Sequence, residues 1–326
     1  MFEGLVLIVL VLVGVGALYG LWRLIKGFDR RAEEVEQRSA AEPRRTDAPK
    51  ISEPLGPDGI VYLCAHDFVP PGAPRGVTNV RRRAYAPLTG SELEPRRMAE
   101  QIVYAVIVTH VQAGDLELRI TECDPTFMPP FPHKRWALTL VRPRRLAGCP
   151  LAEAMDCALD LIKQRQAKRK GPVEEGVPLD ELVEDMLKVM RQEMSFWERA
   201  GVYADIRQYL EAALIDQGYL IPAQRETLIE RLRHIRPAVN EAARPCLEEA
   251  ARKLAAQLNA FRKAHGSAAA AEAETVPGGR THDVDEAIVE ASPPFDDLPL
   301  HDCLKISIHE ALMAIRQLEP SEDVGV

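Results

Sequence analysis

A chain of 326 residues with 46% apolar side chains, 6% aromatic ones and a net charge of −8 is long enough for one or two modest domains plus linkers. Six scattered cysteines, Cys64, Cys123, Cys149, Cys157, Cys246 and Cys303, form no C-x-x-C pair, which argues against a zinc ribbon or a thioredoxin-like site and favours free cytosolic thiols. Abundant Ala, Leu and Glu predict a mostly helical body.

Leu5 to Trp22, LVLIVLVLVGVGALYGLW, is uncharged, and Arg23, Lys26, Arg30 and Arg31 follow at once. As a helix rising ~1.5 Å per residue the run spans ~27 Å, close to the hydrocarbon thickness of a bilayer. A cleaved signal would want a positive segment first, and Met1, Phe2, Glu3 and Gly4 supply none. Tyr19 and Trp22 suit the headgroup region, where Arg23 and Lys26 can snorkel. The prediction is an uncleaved single-pass anchor over 1–26 in the cell (inner) membrane, its N-terminus outside and the body cytoplasmic, by the positive-inside rule. Gly16 and Gly20 make a G-x-x-x-G step through which two anchors could form a homodimer.

Residues 27–58 read as a juxtamembrane stalk and a linker, the latter with four prolines in AEPRRTDAPKISEPLGPD. A first module is expected over 59–170. It opens with GIVYLCAHDFV (59–69), read as a strand, and a Pro/Gly interruption before Arg81, Arg82 and Arg83. Ser91 with Glu94 has capping-box spacing and starts a helix over about 92–113, which Gly114 ends. LELRIT (116–121) and WALTLV (136–141) alternate as strands around the proline-rich DPTFMPPFPHK, and Pro150 starts a helix to about 169. Helix, strand, loop, strand is the ending of a winged-helix unit, the loop being the wing.

GPVEEGVP (171–178) reads as a linker into a second module over 171–265. Leu179, Leu182, Met186, Val189 and Met190 mark an amphipathic helix, and another spans about Tyr203 to Gln217 before Gly218 and the strand YLI (219–221). IVTHVQAGDLELRI thus has a shorter echo in LEAALIDQGYLI, each an apolar helix, a glycine and a strand. Residues 223–235 and 237–264 read as helical. Ala243, Leu247, Ala250, Leu254, Leu258 and Phe261 form a short seam expected to pack back on the body. Residues 266–294 are expected to be a disordered linker. In 295–326 a terminal helix shows Leu304, Ile308, Leu312 and Ile315 on one face, which reads equally as a partner-docking helix or a strap on its own body.

From RRMAEQIVYAVIVTHVQAGDLELRI through ADIRQYLEAALIDQGYLI the chain resembles a poorly characterised bacterial family of predicted membrane proteins. That family's cytosolic region is built from winged-helix-like units, typified by a helix leading into "rGyLrI". The resemblance covers about 85–221 and implies no activity or catalytic residues. The fold class expected is therefore a single transmembrane helix plus a mainly α (α+β) cytosolic body, with tandem winged-helix-like modules and a helical C-terminal extension.

Ligand types occur in Cys64-x-His66-Asp67, in Cys123 with His133, and in His301-Asp302-Cys303 with His309, but none has a recurring zinc spacing. Ordinary thiols and surface histidines are the better account. Cys123 or Cys149 with His110 or His133 lacks any nucleophile elbow, and no phosphate loop or dinucleotide fingerprint occurs. Neither an enzyme nor a cofactor is implied. Charge is uneven: residues 75–170 hold 17 Lys and Arg against 10 Asp and Glu, while 171–326 hold 16 against 29. The basic set Arg81, Arg82, Arg83, Lys134, Arg135, Arg142, Arg144, Arg145, Lys168, Arg169 and Lys170 is expected to meet an anionic surface. Helix 92–113 is too apolar to read base edges. The sequence thus predicts a membrane-anchored scaffold for an unidentified protein partner, with a membrane-tethered nucleic-acid-binding regulator as the alternative.

Overall fold

The computed structural model describes residues 51, 54–70, 72, 84–123, 135–168, 176–193, 201–222, 237–266 and 298–318. Contacts divide the chain after Ala48, and every described residue lies in the unit Pro49–Val326. The anchor with Gly16 and Gly20, its flank Trp22, Arg23, Lys26, Arg30 and Arg31, the stalk, helix 223–235 and the segment 267–294 lie outside the described residues. Among the described residues no helix is long and apolar enough to cross a membrane. The body is mainly helical with small sheets.

Residues 59–69 are helical and not a strand: α1 is Pro57–Leu63 and α2 is Ala65–Phe68. A continuous apolar run fits a buried helix as well as a buried strand. Pro57 in the first turn decides for the helix, and Asp58 to Ala65 are then buried. The linker accordingly ends before Pro57.

The capping box at Ser91 does not form. Glu92–Leu93 (β2) pairs antiparallel with Ala84–Tyr85 (β1), and α3 is Pro95–Ala113 with Glu94 at its N-cap. A residue before proline is pushed out of the helical region, and Glu94 sits at φ −74°, ψ 118°. Gly114 ends the helix as expected: at φ 75° it is left-handed, and Asp115 and Leu116 donate their N–H groups to the His110 carbonyl at 2.9 and 3.2 Å.

Strands β3 (Glu117–Cys123) and β4 (Arg135–Val141) pair antiparallel from Glu117↔Val141 to Cys123↔Arg135. The end of the expected 171–178 linker is instead a third strand, β5 (Val177–Pro178), added to β4 through Leu140↔Val177 and Thr139↔Pro178. Gly176 permits this approach, since a Cβ there would lie 2.9 Å from Thr139 Cβ. Next come α4 (Pro150–Lys168, before β5 in the chain), α5 (Leu179–Glu193) and α6 (Val202–Asp216). Gly218 (φ 84°) turns α6 into β6 (Leu220–Ile221), which pairs with β7 (Ala238–Val239). Asn240 secures that pairing: its Nδ2 donates to the Gly218 carbonyl at 2.8 Å and its Oδ1 accepts from Ala242 N–H at 3.1 Å. The predicted echo of helix, glycine and strand is therefore present in both places.

Helix α7 (Arg244–His265) buries Leu247, Ala251, Leu254, Leu258 and Phe261 and packs on α1 and α3, back on the body. Helix α8 is Leu300–Leu318. One continuous apolar cluster draws on α1 through α8, on both sides of residue 170.

Asp58 ties the start of this body to α4. Its Oδ2 accepts from Leu151 N–H at 2.9 Å and its Oδ1 from Gly59 N–H at 2.7 Å, while the residue is 1% exposed. Burial pushes this carboxyl up, and the two N–H groups oppose that rise. Asp58→Ala should strand a buried N–H at the α4 N-terminus and cost about 1–3 kcal/mol in urea unfolding. A change below a few tenths of a kcal/mol would mean that the tether contributes nothing.

Candidate functional site

The predicted basic set is not one patch of free charge. Arg81, Arg82, Arg83, Lys134, Arg169 and Lys170 lie outside the described residues, and Arg135 begins β4. Arg142 is held internally: Nη1 meets Asp156 Oδ1 and Nη2 meets Asp160 Oδ1, each at 2.5 Å. Asp156 Oδ1 also accepts from Leu146 N–H at 3.0 Å, which folds the 142–149 loop onto α4. The two carboxylates raise the Arg142 guanidinium against the opposing effect of burial. Asp156 and Asp160 sit one turn apart on α4, and this i, i+4 spacing is the sequence signal that both carboxylates share a face. Arg144 and Lys168 are exposed, and Arg145 is 82% exposed. Arg165, near the end of α4, is paired with Asp185 and Glu181 of α5.

The four stripe residues of the terminal helix face inward. Leu304, Ile308 and Leu312 are 0–1% exposed and Ile315 is partly buried against the core. Helix α8 packs on α5, α3 and α7. Two histidines fasten it to α3: His301 Nδ1 lies 2.8 Å from Tyr104 Oη, and His309 Nδ1 lies 2.7 Å from Glu100 Oε1. The Tyr104 and His301 rings meet edge to face at 5.5 Å. Sequence reasoning did not reach Tyr104 and Glu100 as partners of α8, because about two hundred residues separate them from it and neither belongs to a motif.

The other candidates are drawn apart. His301 is not a surface histidine; it is 3% exposed, and burial, with Lys305, Arg262 and His265 nearby, lowers its pKa to about 3. His110 is also buried, 3.1 Å from Asp115. Burial pushes the Cys64 thiol to about 12 and the Cys303 thiol to about 11. Cys149 is raised well above its usual value by burial and by the neighbouring carboxylate of Asp58. Among the described residues no group of three His, Cys, Asp or Glu could hold a metal ion.

Several buried ionisable groups serve as tethers between elements. Tyr62 Oη donates to Glu211 Oε1 at 2.5 Å, joining α1 to α6, and Arg191 Nε meets the fully buried Asp205 at 2.7 Å, joining α5 to α6. Chemically the arrangement can fix a rigid platform and carry a terminal helix on it. No protein-family model, curated protein or solved structure matches the chain.

The His301 environment makes α8 acid-sensitive. A folded-state value near 3 against about 6.5 when free means that the undocked or unfolded chain binds the proton first. This stability is complete above about pH 6.5 and is lost as pH falls toward 3, at roughly 1.4 kcal/mol per unit. Between pH 7 and pH 5 the urea midpoint should fall by the equivalent of about 2 kcal/mol, and His301→Gln should remove that part of the dependence. An unchanged pH dependence in His301→Gln would refute this assignment.

Proposed function

We propose that this protein is a membrane-anchored interaction protein that holds a protein partner at the cytoplasmic face of the membrane and does no chemistry of its own. The observation that carries this reading is the uncharged run Leu5–Trp22 with its basic flank. The body supports it in two ways. Several of its buried acids and bases form internal tethers, the use expected in a rigid platform. Helix, left-handed glycine and an antiparallel strand pair occur twice, an order that tandem winged-helix-like modules, widely used for protein contacts, would also have.

In this reading the exposed Arg144, Arg145 and Lys168 meet anionic headgroups, at about 1 kcal/mol per charge near the surface. Arg142 instead holds the loop that presents its neighbours. The terminal helix covers a groove of the body.

Arginines at the centre of the run, Leu10→Arg with Val13→Arg, should each cost about 2.5–3.5 kcal/mol of insertion and move the chain from the membrane pellet to the soluble fraction. Retention of the double variant in carbonate-washed membranes would refute the anchor.

The second reading, a membrane-tethered nucleic-acid-binding regulator, draws on the same exposed Arg144 and Arg145. Charge reversal at both positions separates the two. Loss of salt-sensitive DNA or RNA binding would favour the regulator, whereas loss of binding to anionic vesicles alone would favour the scaffold.

A further inference from the structure

Two stretches of the chain repeat one order of elements. The first runs α3, left-handed Gly114, β3, β4, α4, Val177–Pro178 and α5. The second runs α6, left-handed Gly218, β6, β7, a 3-10 turn over Glu241–Ala243 that the first lacks, α7 and α8, and Leu298–Pro299 ahead of α8 forms no strand. Burial coincides at matched positions. Met98, Ile102, Val106 and His110 before Gly114 answer to Val202, Ile206, Leu210 and Leu214 before Gly218, and all are buried. In α4 and α7, Leu151, Met155, Ala158 and Ile162 answer to Leu247, Ala251, Leu254 and Leu258, again all buried. In α5 and α8, Leu182, Val183, Leu187 and Met190 answer to Cys303, Leu304, Ile308 and Ala311. In that register PLDELVEDMLKVMRQ (178–192) and PLHDCLKISIHEALM (299–313) share the opening Pro-Leu alone, and an Arg-Gln recurs in the second one helical turn later, at 316–317.

The helix-to-helix contacts between the stretches are interchangeable, whereas the contact of α8 with β4 has no counterpart. Helices α5 and α8 pack on each other, α5 packs on α6, and α8 packs on α3. Exchanging the two stretches maps this set onto itself, which is the property of a self-complementary contact between like subunits. We infer that 95–193 and 202–318 are two copies of one unit, and that the face of α5 covered by α8 is a like-on-like docking surface. Its occupant is an α5-type helix, supplied by α8 of the same chain.

The copies differ where connection length differs. Residues 169–176 join α4 to Val177, so β5 adds to β4 and α5 lies along α4. The much longer 267–297 precedes Leu298, and α8 lies mainly across on α5, with less contact to α7. In this arrangement α8 is a fixed half of an internal pair. This inference does not depend on the membrane anchor.

Helix grafts into the full chain test it. In one, Leu179–Gln192 replaces Leu300–Met313; in the other, Leu151–Lys168 of α4, an amphipathic helix of a different type, replaces His301–Leu318. Both grafts keep His301 and His309, so that the contacts to Tyr104 and Glu100 are not what differs. Amide exchange around Tyr104 on α3 reads docking, and thiol protection of buried Cys149 reads integrity of the body. The α5 graft should keep Tyr104-region protection within about threefold of the native chain, while the α4 graft should lose about a hundredfold. Loss in both grafts would overturn the inference, because an α5-type helix would then not fit. Protection in both would also overturn it, because the surface would then accept any amphipathic helix. A native body that dimerises only while α8 is intact would put the occupant in a second copy and overturn the assignment within one chain.

Discussion

Helix α3 has no free side. From Ile102 to Val108 every residue is buried, so apolar atoms must be supplied all round the helix and not along one stripe. Helices α1, α6, α7 and α8 are the elements that supply most of them. None of these could be removed without baring part of α3 to water, at roughly 25 cal/mol for each Å² of apolar surface uncovered. This explains why the terminal helix, far from α3 in sequence, belongs to the same core as α1. It also explains why α3 cannot act as a reading helix in a nucleic-acid groove: a helix that serves as the centre of a core has no face left to present.

Burial by itself is non-directional, and the polar groups inside the body give it direction. Asp58 fixes the first turn of α4, Tyr62 and Glu211 join α1 to α6, Arg191 and Asp205 join α5 to α6, and Tyr104 and Glu100 receive the two histidines of α8. Each tether crosses between elements, so a slide of one helical turn would break it. A buried carboxylate or imidazole tolerates no such slide, because the lost partner leaves a desolvated polar group.

The same tethers change the meaning of charge. Residues 75–170 hold an excess of positive side chains, yet Arg142 and Arg165 are neutralised by carboxylates of α4 and α5. What the folded surface offers between β4 and α4 is Arg144 and the exposed Arg145, whose guanidinium lies 4.0 Å from both Asp156 and Asp160, on a loop held in place by Arg142 and Leu146. A charge run in a sequence is thus an upper limit on the field that a partner or a membrane meets.

Local chemistry determined much of the secondary structure. Periodicity placed α4, α5, α6 and α8 within a few residues, and alternation placed β3 and β4. Glycine after an apolar run marked the left-handed turns at Gly114 and Gly218, because no other residue adopts that backbone as readily. Two local signals misled. GIVYLCAHDFV is apolar on both faces, so its period is silent, and Ser91 with Glu94 fits a capping box that Pro95 and the β1–β2 hairpin forestall. What only the tertiary structure decided is pairing at long range. That Val177–Pro178 is a strand depends on an open edge of β4, and that the Leu304–Ile315 stripe faces inward depends on a groove built by α3, α5 and α7. An amphipathic stripe states that a partner is needed; which partner it finds is set by the surfaces that the rest of the chain leaves uncovered.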